Sequence, residues 1–233
     1  MAYSADNAII MAAGRSSRFY SYSQKKHKAF LEVKNEILIE RQIKQLQEAG
    51  IKEIVIVTGY LKEQFDYLKE KYNVTLIENK EYLTKNNGSS IYAARSYIRN
   101  SYICSCDNYF NINPFESLVD NSYYSVVYSP GHTDEWCVQV DEQGDICNVT
   151  IGGLGQWYMM GHVFWAKPFS ETFIEILEKN YESHIVRDSV WERLLSLNLD
   201  KLKIKIRKYD KKDILEFDTQ DDFDKLPDSN KWH

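Results

Sequence analysis

The stretch Ala8–Phe19, AIIMAAGRSSRF, decides the fold. A short apolar run reads as a strand buried on both faces, and it stops at a glycine. Gly14 permits a tight backbone turn, and Ser16 and Ser17 follow it. Small residues after a buried strand let backbone N–H groups approach a phosphate. Arg15 and Arg18 lie within the turn, and Lys28 comes soon after, so positive charge collects there. Arg and Lys side chains at such a turn suit a triphosphate. The stretch is neither a Walker A loop nor GxGxxG, which argues against ATPase and dehydrogenase chemistry.

Outward from that strand, the pattern repeats. Ile37–Gly50 has helical apolar spacing and ends on a glycine, and Ile51–Gly59 reads as a second strand. Leu61–Tyr72 reads as an amphipathic helix, Asn73–Asn79 as a third strand, Ser89–Arg99 as a helix and Ser101–Asp107 as a fourth strand. Alternation of this kind predicts an α/β fold with a doubly wound, mainly parallel sheet flanked by helices. The second half is richer in strands: Tyr123–Ser129, Glu135–Thr150 and Gly155–Lys167, with turn signals at EQGD and GGLG. Two helices, a strand at Leu202–Asp210, a short strand at Ile214–Asp218 and the start of a last helix complete it. The expectation is a single domain over residues 1–233, with a nucleotide-binding half over about 1–110. An acceptor-binding, β-rich half with the C-terminal acidic segment follows over about 111–233.

The chain has 233 residues, 43% of them hydrophobic, enough for a sizeable core. Its net charge of −5 excludes a general nucleic-acid or membrane-surface role, so any anion site must be local. The four cysteines form no CxxC pair, and no apolar run approaches the roughly 18 residues of a membrane span. A reduced, cytoplasmic protein without membrane insertion is expected.

In open α/β sheets, ligands sit outside the carboxyl ends of the strands where strand order reverses. Two strand ends carry suitable chemistry, Ala13-Gly14 and Asp107. A carboxylate there suits Mg²⁺, which favours hard oxygen ligands and shares them with phosphate oxygens; an Asx-turn with Asn108 is the plainer reading. Glu216 and Asp218 are two apart on a strand-like segment and face the same way. Asp218 or Thr219 also suits a helix N-cap, with Asp221, Asp222 and Asp224 as helix-start or surface acids. Asn86 and Asn87 carry amides able to read a base, and Gly88, Ser89 and Ser90 open a helix where a serine N-cap is the plainer reading. Trp136 follows Glu135, Trp157 precedes Tyr158, and Trp165 follows Phe164. Clustered rings beside carboxylates suit a quaternary ammonium, with core packing as the alternative. The five histidines have no metal-ligand spacing, and no Ser-His-Asp triad is visible.

In their order along the chain, AIIMAAGRSSRF, HKAFLEV, IVIVTGYLKEQFDYLKEKY, NNGSSIY, DNY, DEWCV, GHVFWAK and LEFDTQDDF resemble the nucleoside-triphosphate transferases. Within them, the DEW and FW elements resemble the bacterial CTP:phosphocholine cytidylyltransferases. The resemblance spans nearly the whole chain. It implies a Rossmann-like nucleotidyltransferase fold and Mg²⁺-dependent transfer of CMP from CTP to a small phosphorylated acceptor, by a monomer or homodimer. It places Ala12, Ala13, Gly14 and Ser16, with neighbours Arg15 and Ser17, in the nucleotide loop, and Asn87 and Ser90 near base and ribose. By the same resemblance, Arg18 and Lys28 would contact the triphosphate and the substrate phosphate, and Asp107, Glu216 and Asp218 would hold Mg²⁺. The acceptor head group falls to Glu135, Trp136, Tyr158 and Trp165. Two departures stand out: His27 precedes Lys28 where the family has proline, and Ser16 stands where it has a second glycine. Other acceptors (2-aminoethylphosphonate, phosphoethanolamine, a sugar 1-phosphate) and an inactive nucleotide-binding regulator are the alternatives.

Overall fold

The apolar run at the start of the chain forms the middle of the sheet. In the computed structural model, which describes residues 2–15, 25–217, 219 and 222, β1 (Asn7–Ala12) lies between two parallel neighbours, β2 (Glu53–Thr58) and β4 (Ser101–Ser105). Its side chains alternate between two cores. Ile9 joins an apolar cluster with α3 (Gly88–Ala94), α4 (Lys167–Asn180) and α6 (Trp191–Ser196), while Ala8, Ile10 and Ala12 join another beneath α1 (Leu38–Glu48). A strand of period two can serve both layers only if both its faces are apolar.

Among the described residues the sheet has seven strands in the order β7-β5-β6-β4-β1-β2-β3, where β3 is Thr75–Glu78, β5 Tyr123–Val140, β6 Ile146–Trp165 and β7 Lys205–Tyr209. The pairs among β4, β1, β2 and β3 are parallel; β6 runs antiparallel to β4 and β5, and β7 parallel to β5. Strand order reverses between β1 and β4, so a crevice opens past their carboxyl ends, beside Gly14 and Asp107. The sheet draws strands from both halves of the chain.

Several local expectations change. The helix expected over Leu61–Tyr72 is a 3-10 turn at Lys62–Phe65 followed by α2, Tyr67–Tyr72. Leu61 stands in the left-handed region at φ 51° and so lies outside the helical segment, and Phe65 and Leu68 are both buried at helical spacing. The turn at EQGD is present between β5 and β6. GGLG instead lies inside β6: Gly152, Gly153 and Gly155 take positive φ and accompany shifts of register, so they bulge a strand rather than end it. The resulting hairpin curls. Cys137 pairs with Thr150 on one side and Tyr158 on the other, so the outer hairpin returns over its own base. Among the described residues, no helix is long and apolar enough to cross a membrane.

Candidate active site

A cavity of about 1020 Å³ occupies the crevice at the strand-order reversal. Its walls come from the ends of β1 and β4, from the segment Asn79–Ser90, from the curled hairpin and from α6.

Asp107 lies two residues past the end of β4 and is 4% exposed. Asn108–Phe110 pairs antiparallel with Ile214–Glu216, and the Phe217 N–H donates to the Asp107 carbonyl at 3.1 Å. Phe217 is buried with Leu31, Val33, Leu38 and Tyr109, so apolar packing fastens the C-terminal segment there. Glu216 thus reaches the same cavity as Asp107. Lys28 forms an ion pair with Asp107 Oδ2. Burial alone would raise the Asp107 pKa, but the Lys28 ammonium more than offsets it and holds the carboxyl below its usual range. Asp107 Oδ1 is buried and has no hydrogen-bond partner among the described residues. An ionised, unpartnered oxygen beside a second carboxylate fits a hard cation such as Mg²⁺. Among the described residues no third His, Cys, Asp or Glu joins them as a metal-binding group, and Asp218 lies outside those residues.

Two residues not foreseen from sequence shape this corner. Gln42 on α1 donates its amide to the carbonyls of Ser105 and Asn108, both at 2.8 Å, and Gln45 donates to Phe110 at 3.1 Å and Ile112 at 3.0 Å. Both side chains are buried, so these bonds fix the loop that presents Asp107. The signal was available: two glutamines sit on the apolar face of an amphipathic helix, where a polar group must find partners.

On the nucleotide side, Ala13 and Gly14 line the cavity. Ala12 does not: it is buried in the core at the end of β1. Arg15 is exposed, its guanidinium 5.9 Å over the Tyr60 ring, and is not part of the cavity wall. Ser16, Ser17 and Arg18 lie outside the described residues. Ser90 lines the cavity, with its hydroxyl accepting from the Asn79 amide at 3.1 Å. Asn87 also lines it, but its side chain is committed. Its Oδ1 accepts the Trp191 backbone N–H at 2.7 Å, and its amide lies near the Glu192 carboxylate. It therefore joins the nucleotide wall to the opposite wall instead of presenting a free amide to a base.

The opposite wall is aromatic and acidic. Asp134, Glu135 and Trp136 reach the cavity from the curled hairpin, Tyr124 from its base, and Trp191 and Glu192 from α6. Tyr124 stacks on Trp191 at 5.6 Å and 11°, and its hydroxyl donates to Glu192 Oε1 at 2.9 Å. Glu192 Oε2 is buried without a partner among the described residues. Burial raises the Glu192 pKa to about 7, against the opposing bonds from Tyr124 and Asn87.

Two expectations for this wall fail. Trp165 is fully buried, packed 4.5 Å from Phe173 and 5.3 Å from Trp191, so it supports the wall from behind. Tyr158 is buried in a small cluster with Val127 and Cys137 and is not part of the cavity wall. Adjacent strand residues face opposite layers, and sequence does not show which ring faces the ligand. Trp191 and Glu192, at the start of a short helix, were not foreseen.

The chain matches the MobA-like NTP transferase domain over residues 8–203. It is 35% identical over 219 residues to the choline-phosphate cytidylyltransferase of Streptococcus pneumoniae, covering 94% of this chain and 96% of that one. It is 33% identical over 222 residues to the 2-aminoethylphosphonate cytidylyltransferase of Lancefieldella rimae, covering 91% and 88%. The solved structure of the CTP:phosphocholine cytidylyltransferase from Streptococcus pneumoniae superposes with a TM-score of 0.90 at 34% identity, over 95% of this chain and 97% of that one.

Proposed function

The chain belongs to the MobA-like NTP transferase family, and on that premise we propose that it transfers CMP from CTP to phosphocholine, forming CDP-choline and pyrophosphate. The observation that carries the choice of acceptor is the wall built from Trp136, Tyr124, Trp191 and Glu192. Aromatic faces attract a quaternary ammonium, and a buried carboxylate without a charged partner supplies the counter-charge. Asp134 and Glu135 add negative charge at the rim. A cationic head against this wall sends its phosphate toward Lys28, with the nucleotide phosphates over Gly14.

In the reaction, an oxygen of the acceptor phosphate forms a bond to the α-phosphorus of CTP. The bond from that phosphorus to the bridging oxygen breaks, and pyrophosphate leaves with the electron pair. The nucleophile is already an anion, so no side chain has to remove a proton. That agrees with the two histidines that line the cavity among the described residues being poor bases: burial pulls His27 down to about 4 and His162 to about 3. Lys28 neutralises charge that builds on the phosphates, and Arg18 is assigned the same role by resemblance. Asp107 and Glu216, with Asp218, would hold Mg²⁺, which when bound supplies further neutralisation of phosphate charge. Asp107→Ala should therefore lower turnover at least a hundredfold while the protein still folds; a variant of normal activity would refute the assignment.

A relative of the 2-aminoethylphosphonate type supports a second acceptor class with the same charge pattern, a cation joined to a phosphorus oxyanion. The aromatic faces of that wall favour the methylated head over a primary ammonium, which gains less from ring faces than from hydrogen-bond acceptors.

A further inference from the structure

His27 makes more bonds than a linker residue needs. It is fully buried at the edge of the cavity, between the loop after β1 and the 3-10 turn Lys28–Phe30. One ring nitrogen, Nε2, meets the Gly14 carbonyl at 3.0 Å. The other, Nδ1, accepts the Ala29 N–H at 3.1 Å and so caps the turn that carries Lys28. The His27 N–H donates to Gln64 Oε1 at 2.9 Å, while Gln64 Nε2 donates to the Lys25 carbonyl at 2.9 Å. The ring packs edge-on against Phe65 at 5.0 Å and Phe30 at 6.5 Å.

These contacts fix one tautomer. A carbonyl and an N–H are satisfied together only by a neutral imidazole with its proton on Nε2. Burial, which pulls the ring down to about 4, keeps it in that form at neutral pH. The neutral ring thus bridges two backbone segments that flank the phosphate end of the cavity. On one side it engages the Gly14 carbonyl, turning that dipole's negative end away from incoming phosphates. A trans peptide points its N–H opposite to its carbonyl, so the Arg15 N–H faces away from His27. On the other side it fixes the first turn after His27, and with it the Lys28 backbone.

We propose that His27 is a positioning residue for nucleotide binding, a clamp that sets the Gly14 peptide and the Lys28 turn relative to each other. It acts through those groups and touches no reacting atom. The proposal rests on the nucleotide reading of the cavity, so its test reads nucleotide binding separately from turnover.

His27→Asn separates the two halves of the clamp. An asparagine oxygen can still cap the Ala29 N–H, as asparagine does at helix starts, but the shorter side chain does not reach Gly14. His27→Phe keeps the ring contacts and removes both polar bonds. The backbone at φ −68° and ψ 144° is also that of proline, so His27→Pro keeps the local backbone while losing all three bonds, with the Gln64 side chain turning aside to make room for the ring. Affinity for CTP is read by calorimetry with Mg²⁺ present, beside the thermal midpoint and the acceptor KM at saturating CTP. The clamp predicts that His27→Asn stays folded, with a modestly lower thermal midpoint from the lost ring contacts, and binds CTP about five- to tenfold more weakly, with the acceptor KM unchanged. His27→Phe and His27→Pro weaken CTP further. If His27→Asn binds CTP as the wild type does, or if both substrates weaken together, the clamp is wrong. If the wild-type protein itself binds no CTP, the nucleotide reading fails instead.

Discussion

Replacing Glu192 by glutamine should make the empty protein more stable at alkaline pH and a poorer enzyme. The carboxyl is enclosed on the cavity wall, with Oε2 unpartnered among the described residues, and burial raises its pKa from 4.5 to about 7. At 1.36 kcal/mol per unit, that rise corresponds to roughly 3 kcal/mol against the ionised form in the folded state. Between pH 4.5 and 7 the folded protein holds a proton that the unfolded chain releases. Stability contributed by this group is therefore complete below about 4.5 and falls until the folded pKa is passed. Glutamine keeps the shape and cannot ionise. Urea unfolding at pH 5, 7 and 8.5 should then show the variant gaining on the wild type by about 2–3 kcal/mol across that range. Function should move the other way. A cationic head group restores the favourable state of the carboxylate, so wild-type KM for phosphocholine should fall as pH rises through 7, and the variant's KM should be higher and lack that component. The acceptor phosphate titrates near 6, so the comparison is of wild type with variant at each pH. A stability difference that does not change with pH, or an unchanged acceptor KM, would refute the reasoning.

Trp136→Ala should raise the phosphocholine KM about tenfold and leave the CTP KM within twofold, because only the cationic head uses that ring; steady-state kinetics with each substrate varied separates the two. Trp165→Phe should lower the unfolding free energy by about 1–3 kcal/mol through lost core packing. The ratio of its two KM values should stay unchanged, since the ring stands behind the wall and not on it.

The half of the fold assigned to the nucleotide was legible because its signals are local. β1 to β4 are apolar runs broken by helices, and strand ends in such sheets mark the ligand crevice. The same rule picked out Gly14 and Asp107 before their proximity was visible, while Lys28 came from the charge collected after the turn and Glu216 from its spacing to Asp218. The acceptor wall was half legible. Trp136 beside Glu135 reaches the cavity, but this depends on a hairpin that curls back through bulges at Gly152, Gly153 and Gly155. A glycine run reads as a turn in sequence, and only pairing shows it to be a bulge. Trp165 was misplaced because burial in a two-layer core depends on which layer each strand residue meets. Trp191 and Glu192 were missed because they reach the wall through Asn87 and Tyr124, contacts 104 and 68 residues away in sequence.

The central claim is tested most directly by pyrophosphate release. ATP, GTP, CTP and UTP are each crossed with phosphocholine, phosphoethanolamine, 2-aminoethylphosphonate and a sugar 1-phosphate, with Mg²⁺ and with the metal chelated. The account predicts release only with Mg²⁺ present, highest for CTP with phosphocholine, and CDP-choline as the product. A higher kcat/KM for any other acceptor, or no release from CTP with phosphocholine, would contradict it.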